Sequence, residues 1–395
     1  MTGQSRWIVA ILIGYLIINA LSFITSFYPL NYIVLLVYLF SCFIAYVGYF
    51  KQKKKTGTFL GFDITLFCLL TIFNWLISPK TAMHVDGVVN TSHIMTATIT
   101  NLMAFFVAYV ATTGKGLNVR KLDKLASLLF VLAFVSYMYS FMNLEASDKG
   151  TSVNGSYALM FLFLVMCLRG FTKKTNILLF IVFGLVVLSA KRGAIICLLI
   201  MILLYLYFRF LKGRRSSFFM IPIVLALLGS ISYYVMNHNT NFQNKMEATS
   251  EGNASGRDYM YETLFIFWLQ EEPKEQILGY KFAGSFELLE RDAHNDWLEL
   301  LIGEGLLGVT LYLIFFTALF HAFFKNKRYW YPHEKMIFLS SILIWFVKSF
   351  FSQSFYAGES IYLVIIFGFL LSEASSRQQY LGSGFENNDN RRSLP

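Results

Sequence analysis

Runs of about 20 apolar residues recur along this chain and leave it few ways to fold, because a hydrocarbon core roughly 30 Å thick needs about that many per helical crossing. They fall at 7–25, 30–50, 58–77, 94–113, 125–143, 154–171, 175–190, 193–211, 218–236, 297–320, 336–356 and 358–372. A spanning segment must satisfy its own backbone hydrogen bonds, so only helices and closed barrels qualify. The runs are continuous rather than alternating, which excludes a barrel. The expected fold is an all-α integral membrane protein, a polytopic bundle of about twelve transmembrane helices. Charged residues make up only 14% of the chain, against the usual soluble value of about 25%. The seventh and eighth runs are separated only by Lys191-Arg192-Gly193 and the twelfth is short; a re-entrant segment at either place lowers the count and changes its parity.

Lys and Arg positions set the expected orientation. With the N-terminus inside, 23 of the 33 basic residues fall on inner segments, nine in outer loops, and Lys348 within a span. The opposite orientation reverses that ratio. Both termini are therefore expected in the cytoplasm, with the first run a retained anchor. The net charge of +10 is spread over short inner loops and reads as topology. No zinc finger, basic helix or aromatic RNA-binding signature is present, so nucleic acid is not an expected partner. Cys42, Cys68, Cys167 and Cys197 all lie inside runs, without metal-ligand spacing.

The chain divides into a membrane bundle over 1–236, a large outer loop over 237–296, C-terminal membrane helices over 297–372 and a polar tail over 373–395 expected to be disordered. The loop is unusually long for a compact protein. Its apolar residues Tyr259, Leu264, Phe265, Trp268 and Leu269 have helical spacing, which predicts an amphipathic helix over 258–271 lying on the membrane surface or packed on the bundle.

That loop holds eleven acidic and five basic residues, so each cation matters. Arg257 precedes the predicted helix, where free N–H groups and a guanidinium suit an anion such as phosphate; a solvated pairing with Asp258 or Glu262 is the plain alternative. His294 lies just before the tenth run, in Ala293-His294-Asn295-Asp296-Trp297. An imidazole there suits proton transfer from a sugar hydroxyl, or simply caps a helix. Lys191 and Arg192 stand together at the outer end of the eighth run, where cations are disfavoured; they bind an anion or snorkel to headgroups. Lys348 shares a helical face with Ser349, Ser352, Gln353 and Tyr356, and either lines a donor site or snorkels. Asp63 and Asn154 read as packing or interfacial groups.

These places coincide with a known pattern. His294-Asn295, nine residues, then Gly305 resembles the His-Asn-x9-Gly signature of the O-antigen ligase and polymerase family, and Glu304-Gly305-Leu306-Leu307-Gly308 is similar to its following Glu-x-Gly run. Arg257, Trp268, Pro273 and Gly279 resemble an upstream stretch, with Tyr280-Lys281 replacing a second glycine. Arg192 sits where the family has Arg-x-x-x-Leu, although Ile196 fills the last position. The resemblance covers roughly 180–310. It implies an undecaprenyl-diphosphate-linked oligosaccharide as donor at the outer face of a bacterial plasma membrane. Arg192 and Arg257 would neutralise the diphosphate, and His294 would act as base or orient the acceptor, with Asn295 beside it. No cofactor and no metal are implied. The acceptor is a growing glycan, making a repeat-unit polymerase, the reading we favour, or a lipid A core or protein, making a ligase. A flippase or transporter shares the helix count but would show repeats and midplane ionisable groups, and a scaffold would not need the His-Asn segment.

Overall fold

The computed structural model describes residues 3–22, 28–52, 56–84, 87–145, 155–189, 191–211, 229–230, 233, 257–355 and 357–392. Its helices are α1 (Gly3–Ser22), α2 (Tyr28–Phe50), α3 (Thr58–Ile77), α4 (Thr91–Thr113), α5 (Val119–Glu145), α6 (Ser156–Met166), α7 (Lys173–Leu188) and α8 (Arg192–Leu206). After the loop begin α9 (Arg257–Gln270), α10 (Pro273–Leu278), α11 (Gly284–Leu289), α12 (Asp296–Asn326), α13 (Pro332–Phe351) and α14 (Ile361–Arg392). The helical membrane fold is as the apolar runs predict. Among the described residues seven helices are long and apolar enough to cross a membrane; the expected twelve are not all present at that length. The ninth run and residues 237–256 lie almost wholly outside the described residues, as does Asn154.

The polarity of the helix faces argues for a membrane independently of the count. On α3 the exposed stripe is Phe59, Phe62, Leu66, Leu69, Phe73 and Leu76, whereas Asp63, Thr71 and Asn74 are buried. An apolar face this continuous on the outside is a lipid-facing surface rather than a water-facing one. The core lies where α4 packs against α1, α2, α3 and above all α14. Ala104, Ala108 and Ala111 line α4 there, and Gly368 lets α14 come into backbone contact with Phe105. Small residues permit the close approach that gives van der Waals packing between helices in lipid.

Three differences from the sequence expectation have local causes. A short antiparallel hairpin, β1 (Thr81–His84) and β2 (Gly87–Asn90), joins α3 to α4; Asn90 then caps α4 by accepting from the Ser92 N–H at 2.9 Å. Disorder was expected from Glu373, but α14 continues to Arg392. Its first polar turns are held by Arg377, which donates to Glu334 at 2.6 and 2.8 Å and to the Tyr329 carbonyl at 2.8 Å. Finally, α13 stops at Phe351 and Ser352 is extended, so Ser352 and Gln353 do not share a helical face with Lys348. Tyr356 lies outside the described residues.

The loop helices are built onto the bundle through α12. This helix breaks at Gly305, whose φ of 66° and ψ of −163° are a backbone conformation open essentially only to glycine. The break frees the Ile302 carbonyl, which accepts from the Tyr280 N–H at 2.8 Å. Gly279, with φ 92°, lies so close that a Cβ would sit 2.5 Å from the Gly303 carbonyl. The turn after α10 is thus wedged into the kink. Glu304 is fully buried beside it, accepting from the Thr71 hydroxyl at 2.8 Å.

Candidate functional site

The site lies at the end of the bundle that carries the loop helices, where α8, α9 and α12 begin and α13 ends. Lys191 precedes α8 and Arg192 is its first residue, so both stand at a helix N-terminus. Gly193 follows against two neighbours: a Cβ there would lie 2.8 Å from the Tyr157 hydroxyl and 3.2 Å from the Phe351 Cβ. Arg257 opens α9 and donates from Nη1 to the Phe351 carbonyl at 3.2 Å. The Tyr261 hydroxyl, one turn on, donates to the Phe350 carbonyl at 3.4 Å. Both loop-helix contacts use carbonyls left over at the C-terminus of α13. The end of α13 therefore brings Arg192 and Arg257, far apart in sequence, to one corner.

Expected as an amphipathic helix over 258–271, α9 spans Arg257–Gln270. It buries Met260 and Leu264, the latter packed with Ala293 of the loop and Ile302 of α12, and exposes Tyr259, Phe265, Ile266 and Leu269. Trp268 is half-buried; its Nε1–H donates to the Gln276 carbonyl at 3.2 Å, tying α9 to α10.

His294 lies in the turn before α12 with φ 50°, the left-handed region uncommon outside glycine. Its Nδ1 is 3.2 Å from the Asp292 carboxylate, and 45% of its side chain is exposed. Asn295 caps α12, its side-chain oxygen accepting from the N–H groups of Trp297 at 2.9 Å and Leu298 at 3.2 Å. It also meets the Tyr261 hydroxyl. Asp296, wholly buried, fixes this end of α12 to the segment after α13: it accepts from the Ser354 N–H at 2.9 Å, the Phe355 N–H at 3.3 Å and the Tyr312 hydroxyl at 2.8 Å. Trp297 adds a 2.9 Å hydrogen bond to Ser349 of α13.

Lys348 lies in the last turn of α13 rather than in mid-span. Its ammonium is held by the Gln353 carbonyl at 2.8 Å and the Glu359 carboxylate at 2.9 Å, above the Tyr157 ring at 4.7 Å. The Lys191 ammonium lies 5.0 Å from the centre of the same ring. Burial, and then the positive charges of Lys348 and Arg257, lower the Lys191 pKa to about 8; Glu359 and Asp292 act in the opposite direction. All four groups thus lie close enough to Lys191 to act on its charge.

The corner thus holds Lys191, Arg257 and the Lys348–Glu359 pair near Asp292, which pairs with the His294 imidazole, while Arg192 follows Lys191 at the start of α8. Such an arrangement can bind an oligovalent anion and move a proton beside it. Of the residues singled out in the sequence, Lys191, Arg257 and Lys348 lie in this corner, Arg192 adjoins it in sequence, and His294 and Asn295 lie on the turn that borders it, whereas Asp63 is buried on α3. Sequence reasoning passed over Asp292, Tyr157 and Glu359. Asp292 stands two residues before His294, and Glu359 is a lone acid at the start of the twelfth apolar run, a pairing signal for the buried Lys348.

Among curated proteins, none matches the chain. A family model described as O-antigen ligase matches residues 177–313, which run from α7 through the loop helices into α12 and include Lys191, Arg192, Arg257, His294 and Asn295. That family's work is surface-polysaccharide assembly from a lipid-linked glycan. Over residues 177–313 this multi-pass membrane protein is similar to the O-antigen ligase/polymerase family.

Proposed function

We propose that the protein is a metal-independent inverting glycosyltransferase that moves a glycan from undecaprenyl diphosphate to an acceptor hydroxyl, the acceptor being a growing lipid-linked chain. What supports this reading is that Lys191 feels the charges of Arg257 and Asp292, that Asp292 pairs with His294, and that Arg192 follows Lys191 at the start of α8. With the Asp292 carboxylate accepting from Nδ1–H, His294 presents an unprotonated Nε2. In the transfer, the acceptor hydroxyl loses its proton to Nε2 as its oxygen bonds to the anomeric carbon. The bond from that carbon to the diphosphate oxygen breaks, and the electron pair leaves with the diphosphate. Arg192, Arg257 and Lys191 stabilise that leaving charge, most strongly in the transition state. Asn295 keeps His294 in place through the α12 cap, and the exposed apolar faces hold the polyprenyl tail.

The excess of Lys and Arg on the segments opposite the loop supports an orientation with both termini in the cytoplasm of a bacterial cell and the site on the outer face of the plasma membrane. The test is glycan length on a gel after gene deletion and complementation. Single repeat units on the lipid A core in the deletion strain, with no ladder restored by His294→Ala, are the expected result. Full-length chains left on the carrier would make it a ligase, and a normal ladder from His294→Ala would refute the role of His294.

A further inference from the structure

Glu359 is a carboxylate placed among cations that are there to bind an anion. It sits on a 3-10 turn, Gly358–Ser360, between α13 and α14, outside the residues that the family model matches. We infer that Glu359 faces the anomeric carbon of the donor sugar and stabilises the positive charge that develops there, with Lys348 as the positioning residue beneath it. The inference rests on the glycan-transfer reading above and adds a group to it.

Lys348 cannot be the group offered to a ligand. Its side chain is 1% exposed, and its ammonium already serves the Gln353 carbonyl and Glu359 Oε1, with the Tyr157 and Phe161 rings 4.7 and 5.7 Å away. Reaching a diphosphate would leave that charge without its hydrogen bonds in apolar surroundings, a costly exchange. Glu359 keeps 23% of its side chain exposed, so the pair presents its carboxylate rather than its ammonium.

The turn that carries Glu359 is fixed from several sides. The Ser360 hydroxyl donates to the Ser354 carbonyl, and the Ser354 and Phe355 N–H groups are held by Asp296. Asp296 also begins α12, next to His294 and Asn295, so one buried carboxylate sets the position of Glu359 relative to the proton acceptor. Glu359 acts electrostatically on Lys191 and on Tyr157, as Arg257 does, which puts it at the same corner.

A fixed negative charge there repels a diphosphate in the ground state. As the bond to the diphosphate breaks, the ring carbon and its oxygen become positive, and the same charge attracts. Its effect is therefore confined to the transition state, the kind of interaction that raises turnover rather than affinity. Glu359 forms no bond. The acceptor proton still goes to His294, and the electron pair still leaves with the diphosphate.

The experiment is steady-state transfer by the full-length protein in lipid nanodiscs from a synthetic polyprenyl-diphosphate oligosaccharide, comparing wild type, Glu359→Gln, Glu359→Asp, His294→Ala and the double variant Lys348→Met/Glu359→Gln. Glu359→Gln should lower kcat by about 100-fold or more while donor KM stays level or falls, and Glu359→Asp should recover part of the loss. The double variant removes the buried pair together, so it tests a Glu359 that serves only as counter-ion. It should stay as slow as Glu359→Gln, and recovery of turnover there overturns the inference. So does a Glu359→Gln protein with wild-type kcat, or one in which kcat and donor binding fall together. Wild type failing to use this donor overturns both readings. An active wild type and an inactive His294→Ala, beside an unimpaired Glu359→Gln, overturn the role of Glu359 alone.

Discussion

Replacing Gly305 by alanine should disable the site without touching any residue that meets substrate. The position combines two independent penalties. Its backbone, at φ 66° and ψ −163°, lies in a region that costs an alanine about 1–3 kcal/mol. The new Cβ would also fall on the Ile277 carbonyl and 2.5 Å from the Gly279 nitrogen. Those are backbone atoms that cannot rotate aside, so overpacking adds about 1–3 kcal/mol. Taking the middle of both ranges gives about 4 kcal/mol, or roughly a thousandfold in the population of the docked state. The cheapest escape is to release the α10 turn from the kink and give up the hydrogen bond from Tyr280 to Ile302. That loosens α9, α10 and the Arg257 contact while the bundle stays folded. Limited proteolysis of the purified protein in detergent should therefore cut Gly305→Ala within the loop helices long before wild type, and complementation should give no ladder. Gly184→Ala is the control: nothing lies within 4 Å of its Cβ position in α7, so it should gain about 0.5–1 kcal/mol from helix propensity. A Gly305→Ala protein that resists protease like wild type and restores the ladder would refute the argument from the kink.

Two further outcomes follow from the site. The Lys191 pKa, lowered to about 8, means its charge is lost as pH rises through 8. If the ammonium holds the diphosphate, donor KM should climb above that pH; Lys191→Met should abolish the climb and raise KM at pH 7 by about tenfold or more, the worth of one hydrogen bond to a charged group. The sign for stability is the reverse: because folding depresses this pKa, the folded state loses least to Lys191 above pH 8, and stability should rise between about pH 8 and 10. Asp292→Asn offers Nδ1 of His294 an amide that can donate, favouring the tautomer with a proton on Nε2. It should cut kcat by on the order of 100-fold with donor KM little changed. Equal effects on both constants would mean that Asp292 shapes the turn and not the imidazole.

Much of this protein is legible without coordinates, because in lipid the length and continuity of an apolar run nearly dictate a helix. The sequence alone yields the helical membrane fold and a helix expected over 258–271, which spans Arg257–Gln270, and it singles out Lys191, Arg192, Arg257, His294, Asn295 and Lys348 as candidates. Its His-Asn-x9-Gly spacing reaches Gly305, yet only the backbone explains that glycine: the kink opens a carbonyl for the loop turn to occupy. Where a run is polar at its end, composition misleads. The expected disorder after Glu373 overlooks Glu334, which holds Arg377 and extends α14.

Tertiary structure decided which charges answer one another. Helical periodicity puts Lys348 on a face with Ser352 and Gln353, but α13 ends first, and Gln353 turns back to accept from it. The partner that fixes its meaning, Glu359, is in another element, and the carboxylate that fixes Glu359 in turn, Asp296, is in a third. Periodicity reports only on neighbours along one helix, whereas a desolvated charge takes whichever opposite charge the packing delivers. For that reason the cations of the site could be listed from the sequence, and the acids that tune them could not.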